Sequence, residues 1–232
     1  MTDFGDKNVV VTGATGGLGT AVVATLLERG AICHLPMVEK EVPKQLPWYG
    51  HARVHAHPGE NLDDELRVTA FYDELPALWA SIHLVGGFSM APLTETPVSE
   101  FQRMFTLNAV TCFLGTREAV RAIRRSRGGG RIVNVAARPV LQPAGGMVAY
   151  SASKAAVAAI TTAAAAETLT DGILVNAVLP SIIDTPANRV AMPHADHSNW
   201  PKAEQIAETI AFLASPQNSL TSGTMLPVYG RA

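Results

Sequence analysis

Tyr150-Ser151-Ala152-Ser153-Lys154 opens an alanine-rich stretch of helical character. Residues four apart share a helix face, so the phenol and the ammonium group can meet there. A cation beside a phenol favours the phenolate and lowers its pKa from about 10 toward neutrality. Tyr150 then suits a general acid for carbonyl reduction or a general base for alcohol oxidation. A Tyr/Lys pair alone is common on protein surfaces. A second feature gives this one meaning: Thr12-Gly13-Ala14-Thr15-Gly16-Gly17-Leu18-Gly19 directly follows the β-branched run Val9-Val10-Val11. A strand, a tight glycine turn and a helix start make an anion site, because the first helical N–H groups are free and the helix dipole is positive there. Glycines let the backbone turn sharply and approach a pyrophosphate closely. The two features together point to a dinucleotide site with a proton-transfer pair on the same chain.

These groups need elements to hold them. Lys7 to Thr12 reads as a buried strand, Leu18 to Arg29 as a helix stopped by Gly30, and Ala31 to Leu35 as a second strand. Pro36, Pro43 and Pro47 break the stretch to Gly50. Arg53 to His57 is a third strand, Asn61 to Trp79 mixed helix, and Ser81 to Val85 a fourth strand ending at Gly86-Gly87. Val98 to Arg125 reads as one long helix, Arg131 to Ala136 as a strand and Tyr150 to Leu169 as a helix. Ile173 to Val178 is a strand ended by Pro180, Lys202 to Ala214 an amphipathic helix, and Thr224 to Val228 a last strand. Apolar strands alternating with helices predict an α/β fold, a doubly wound Rossmann-type parallel sheet covered on both faces, with ligands at the carboxyl ends of its strands. No repeat or linker interrupts the pattern, so residues 1–232 are expected to form a single domain.

Composition narrows the class. Apolar residues make up 47% and charged residues 16%, which suits a packed globular chain. A net charge of −2 gives no pull toward nucleic acid or an anionic membrane. The basic cluster from Arg117 to Arg131 carries no interleaved aromatics and reads as a solvated helix end and loop. Cys33 and Cys112 have no metal-ligand spacing and are expected to be buried, inert thiols. Met1 to Lys7 lacks the order of a signal peptide, and no apolar run is long enough to span a bilayer, so a cytoplasmic location is expected.

The glycine turn, the Tyr/Lys pair and their order resemble the short-chain dehydrogenase/reductase family, over nearly the whole chain. Thr12 to Gly19 matches the family's glycine signature, Asn108 its helix asparagine, Tyr150 with Lys154 its active-site motif, and Asn176 to Pro180 with Thr185 its proline turn. The resemblance implies that Tyr150 is the proton donor, that Lys154 holds the nicotinamide ribose and tunes Tyr150, and that Asn108 positions a water in a proton relay. It implies NAD(P) contacts from Gly13, Thr15, Gly16, Gly17, Leu18, Gly19, Pro180, Ile183 and Thr185. It also implies a small-molecule substrate and a homodimer or homotetramer.

The chain departs from the family at informative places. Thirteen residues before Tyr150, where the family has a catalytic serine, stands Ala137. Loss of one such donor typically costs on the order of 10²–10³ in rate. The dihydropteridine reductase branch shares this absence, and Asp184 to Trp200 resembles its corresponding loop, which admits a conjugated imine such as a quinonoid pterin beside carbonyls and alcohols. The rival reading is a nucleotide-binding sensor or scaffold with little turnover. Arg138 is expected to point to solvent. Leu84-Val85-Gly86-Gly87 replaces the family's asparagine-rich turn, with Gly86 and Gly87 still permitting close approach to the adenosine ribose. Asn61, before Leu62, stands where an aspartate often marks the adenine pocket, and an amide oxygen can still accept from the adenine amino group.

Neither an acidic nor a basic cofactor mark ends the second strand at Leu35-Pro36-Met37, and Glu39 and Lys40 lie just beyond. With no carboxylate placed to repel a 2′-phosphate, the reading leans to NADP over NAD. Pro186 to Trp200, with His194 and His197, forms the expected lid. No metal is expected; His51, His55 and His57 alternate along a strand and read as an exposed edge, with a metal site as the alternative.

Overall fold

The structure is a computed structural model, and it describes residues 3–231. Seven strands form one all-parallel sheet: β1 (Asn8–Thr12), β2 (Ile32–Met37), β3 (Val54–Pro58), β4 (Leu78–His83), β5 (Gly130–Val135), β6 (Ile173–Pro180) and β7 (Met225–Val228). Their order is β3-β2-β1-β4-β5-β6-β7. The helices are α1 (Gly17–Glu28), α2 (Glu65–Asp73), α3 (Val98–Met104), α4 (Thr111–Ser126), α5 (Val148–Thr168), α6 (Pro186–Ala191) and α7 (Ala203–Ala214).

The central strands are buried on both sides, which is why they read as unbroken apolar runs. Val9 and Val11 of β1 join Val22, Val23 and Leu26 of α1 and Ile206, Ile210 and Leu213 of α7 on one face. Val10 turns to the other face, with Phe71 and Tyr72 of α2 and Leu114 and Ile123 of α4. The chain winds outward in opposite directions from β1 and β4, so a crevice opens at the carboxyl ends of these two strands.

The doubly wound parallel sheet matches the sequence reading, and several boundaries move. Trp79, expected in a helix, lies in β4, which starts at Leu78; Leu84 and Val85 fall beyond it. Of the expected Asn61 to Trp79 helix only α2 forms, because the Asp64 carboxylate caps its start by accepting from the Leu66 and Arg67 N–H groups. The expected long helix is interrupted by a π-helical stretch, Phe105–Val110. Such stretches insert one residue into a turn and often mark functional sites; here the inserted turn carries Asn108.

The expected histidine edge is real, since β3 is an edge strand. The partner in the cluster is not His51 but His34 of β2: the His34 and His55 rings stack at 5.0 Å and 17°, and His57 lies 5.9 Å from His34. Stacked rings turn their nitrogens away from a common point. Among the described residues no group of three or more His, Cys, Asp or Glu is arranged to hold a metal ion. No helix of the described residues is long and apolar enough to cross a membrane.

Candidate active site

The glycine turn forms a cradle that side chains would fill. A Cβ on Gly13, at φ +68°, would lie 3.0 Å from the Leu84 carbonyl carbon and the Val85 nitrogen. A Cβ on Gly19 would lie 2.0 Å from the Gly13 oxygen, and one on Gly17 would meet Thr185 Cγ2 at 2.8 Å. The turn therefore packs against the ends of β4 and β6 as well as opening α1, and Thr185 from the far side of the sheet sits on it. Gly16 is the N-cap of α1 in extended conformation with no side-chain cap, so the N–H groups of the first turn remain available to an anion. Leu18 packs into the core beneath, as does Ile183, whose carbonyl also accepts from Asn188 Nδ2 at 2.8 Å.

Beside the cradle lies a cavity of about 190 Å³ lined by Gly13, Thr15, Met37, Glu39, Asn61 and Leu62, among others. Asn61 and Leu62 thus share a cavity wall with the glycine turn. Glu39 lies closer to the glycine turn than its place past the strand suggests: its Oε1 accepts from Thr15 Oγ1 at 2.8 Å. Glu60 and Asp63 also line the cavity, and no Lys or Arg is among its described lining residues. Sequence reasoning placed Glu39 too far past the strand; hydrogen bonds from Gly59 N to Glu39 O (2.9 Å) and from Glu60 N to Met37 O (2.8 Å) fold the segment back.

Asn108 is buried and works as a clamp. Its Oδ1 accepts from Gly87 N–H at 3.0 Å, and its Nδ2 donates to Gly87 O at 3.1 Å and to Ser153 Oγ at 3.0 Å. Ser153 Oγ in turn donates to the Tyr150 carbonyl at 2.8 Å. One amide thereby ties the Gly86-Gly87 turn to the helix start that carries the tyrosine. Ser153 was not singled out from sequence, although its place inside the Tyr/Lys motif was the available signal. A Cβ on Gly86 would fall 2.6 Å from Asn108 Oδ1 and 3.1 Å from Lys154 Nζ, so both side chains close on that glycine.

Lys154 is buried, and Nζ donates to the Val135 carbonyl at the end of β5 at 2.8 Å. Burial pushes its ammonium down to about 8. The expected lowering of the Tyr150 pKa is not seen: burial pushes the phenol up to about 12, while Lys154 Nζ is turned to the Val135 carbonyl. Burial thus favours the protonated form of the Tyr150 phenol. The Tyr150 ring meets the edge of Phe88 at 5.0 Å.

A polar network lies beneath. His83 of β4 is buried; its Nδ1 pairs with Asn134 Oδ1 at 2.8 Å and its Nε2 with Ser81 Oγ at 2.8 Å. Ser81 Oγ also pairs with Tyr72 OH at 2.8 Å, and Asn134 Nδ2 donates to Thr161 Oγ1 at 2.9 Å. With the Asn134 amide nitrogen so used, its oxygen faces His83, which fixes Nδ1 as the protonated nitrogen. Asn134 immediately precedes Val135, so this network anchors the strand end that holds Lys154.

Ala137 is buried in extended conformation just past β5, and it offers the site no hydrogen-bond donor. Arg138 does not point to solvent as expected: its guanidinium stacks on Tyr229 at 5.0 Å, and Nε donates to Gln142 Oε1 at 2.7 Å. Pro180 ends β6. The expected lid contains α6, capped by Thr185 Oγ1 accepting from Asn188 N–H, and then a short turn in which His197 packs on buried Trp200 at 4.5 Å. His194 is exposed.

A phosphate cradle at the switch point of a parallel sheet, one strand from a Tyr/Lys/Asn set, is the layout of a dinucleotide-dependent oxidoreductase. Residues 7–195 match the family model for short chain dehydrogenase, and the chain belongs to that family of NAD(P)-dependent oxidoreductases. It is 33% identical to cis-4-hydroxycyclohexanecarboxylate dehydrogenase of Sinomonas cyclohexanicum, over 98% of this chain and 96% of that protein. It is 28% identical to cyclopentanol dehydrogenase of Comamonas testosteroni, over 99% and 98%. Among solved structures, ElxO with NADP bound superposes with a TM-score of 0.87 at 23% identity, covering 97% of this chain and 98% of that one, a likeness of fold.

Proposed function

We propose that this protein interconverts a small alicyclic secondary alcohol and its ketone, with NAD as the preferred cofactor. The observation that carries the reading is the convergence of Asn108 and Lys154 on Gly86, with Asn108 tied through Ser153 to Tyr150. The names of the two relatives above, both dehydrogenases of ring alcohols, support the substrate class. When bound, the nicotinamide supplies or accepts the hydride. Tyr150 Oη takes the hydroxyl proton in oxidation and returns it to the ketone oxygen in reduction. Lys154 would present a cation to the cofactor's ribose, and Asn108 fixes the Gly86-Gly87 turn that would border the cofactor. Glu39, Glu60 and Asp63 disfavour a 2′-phosphate while leaving acceptors for ribose hydroxyls. Buried, unpaired Cys33 and Cys112 fit a reducing cytoplasm. The half-exposed Phe101, Val110 and Phe113, on α3, the π-helical stretch and α4, suit a homodimer or homotetramer, and residues 1–232 act as one unit in this reading.

The test is turnover of cyclohexanol and cyclopentanol with NAD+ and with NADP+. We expect NAD+ to be preferred about tenfold or more in kcat/KM, the scale of one charge repulsion in a partly solvated site. Glu39→Gln should shrink that ratio severalfold. Tighter NADPH than NADH binding would overturn the cofactor assignment. The lack of a side-chain donor at Ala137 favours one competing substrate, a conjugated imine of the quinonoid pterin kind, which needs less help from a hydroxyl donor; turnover of that compound with none of the ring alcohols would replace the alcohol reading.

Ala137 also gives a gain-of-function expectation. Ala137→Ser restores a donor where the substrate oxyanion develops, and kcat for cyclohexanone reduction should rise by about tenfold or more. An unchanged or lower kcat in a variant of wild-type stability would show that this position does not face the reacting oxygen.

A further inference from the structure

Isolated exposed apolar side chains are ordinary, but Phe88 differs in what it touches. Its ring is 57% exposed, and it meets the Tyr150 ring at 5.0 Å and 73°. The backbone beneath it is fixed, because Gly87 is held at both its N–H and its carbonyl by Asn108. Phe88 is thus an aromatic plate on a rigid mount, in contact with the proton-transfer group on one side and open on another. The segment after it is tied to the approach to α5 by Ala91 N donating to Gly146 O at 2.8 Å, and Met90 packs on Gly146. Between the two segments lies a cavity of about 240 Å³ whose walls include Ser89, Met90, Met147 and Val148. Among the described residues the one charged wall residue, Glu100, is paired with Arg103.

We propose that Phe88 is the residue that selects for ring substrates: its open face packs against an uncharged alicyclic ring and brings the carbinol carbon alongside Tyr150. A ring offers a flat set of C–H groups to the aromatic face with little rotamer freedom to lose, whereas an open chain must be ordered to make the same contact. This proposal rests on the alcohol-dehydrogenase reading above.

The experiment compares cyclohexanol with open-chain 2-hexanol in wild type, Phe88→Ala and Phe88→Tyr, with NADH binding and thermal melting as controls. Phe88→Ala should lower kcat/KM for cyclohexanol about tenfold, mainly through KM, and change 2-hexanol less than about threefold. Phe88→Tyr should restore the preference. Equal losses on both alcohols, or a loss confined to kcat, would mean that Phe88 acts by holding Tyr150, and would overturn selection by Phe88 while leaving the dehydrogenase reading intact. A wild type that oxidises neither alcohol overturns that reading and this proposal with it.

Discussion

Tyr150→Phe should reduce turnover about a thousandfold, within the 10²–10⁴ range for loss of a positioned proton-transfer group, while NADH binds within about threefold of wild type. The substitution removes one oxygen and leaves the ring that packs on Phe88. The links from Asn108 through Ser153 reach Tyr150 only at its backbone carbonyl, so the helix start keeps its place. Turnover within tenfold of wild type would refute Tyr150 as the proton-transfer residue. The pH profile sharpens the test. Burial pushes the phenol up to about 12, so it is protonated at pH 7, which is the form that ketone reduction uses. Alcohol oxidation uses the ionised form and should accelerate as pH rises from 7 toward 9. Reduction should hold up to about pH 8 and decline above it, as Lys154, pushed down to about 8 by burial, loses its charge.

The second large effect is acid lability. Burial pushes His83 down to about 4 from its ordinary value of 6.5, and His34 likewise, with His55 and His57 adding repulsion to His34. These are lowered histidine values, so above pH 6.5 neither state carries the proton and stability is undiminished. Below 6.5 the unfolded chain binds protons that the folded one refuses, and stability falls until about pH 4. At pH 5 His83 alone should have removed about 2 kcal/mol, with His34 acting in the same direction. The geometry agrees: the neutral His83 ring already satisfies Asn134 and Ser81, and His34 Nδ1 is buried without an acceptor for a new N–H. Urea denaturation at pH 7 and 5 should show the drop, and His83→Gln should flatten it. Stability that is constant or rising on acidification would contradict the assignment.

Much of this was legible in the residues. Val9-Val10-Val11 followed by glycines could only be a buried strand entering a tight turn, and the Gly13 and Gly19 contacts show why side chains are barred there. The Tyr150/Lys154 spacing did place both residues on the first turns of one helix. Their electrostatic relation was not legible, because it depends on Val135, a carbonyl fifteen residues upstream of Tyr150 that no side-chain motif reports. The π-helical turn at Asn108 was hidden as well, since a helical pattern of apolar residues does not register one inserted residue. Glu39 was visible as a carboxylate but not as a neighbour of Thr15, because its position is set by backbone bonds from the far end of β3. The histidine alternation was seen on β3, while its true partner lay on β2, which pairing alone reveals.

The placement of Glu39 divides the molecule's labour. It follows β2, one strand in from the edge, and is held by a backbone bond from Gly59, just past the edge strand β3, whereas Lys154 and Asn108 are fastened to interior strands and helices. In the function proposed above, the choice between two cofactors falls at the rim and the proton transfer at the hub. A lineage can rewrite the rim by exchanging a few residues around β3 without dismantling the hub, so descendants of one catalyst can draw on different cellular pools of reducing power while performing the same chemistry.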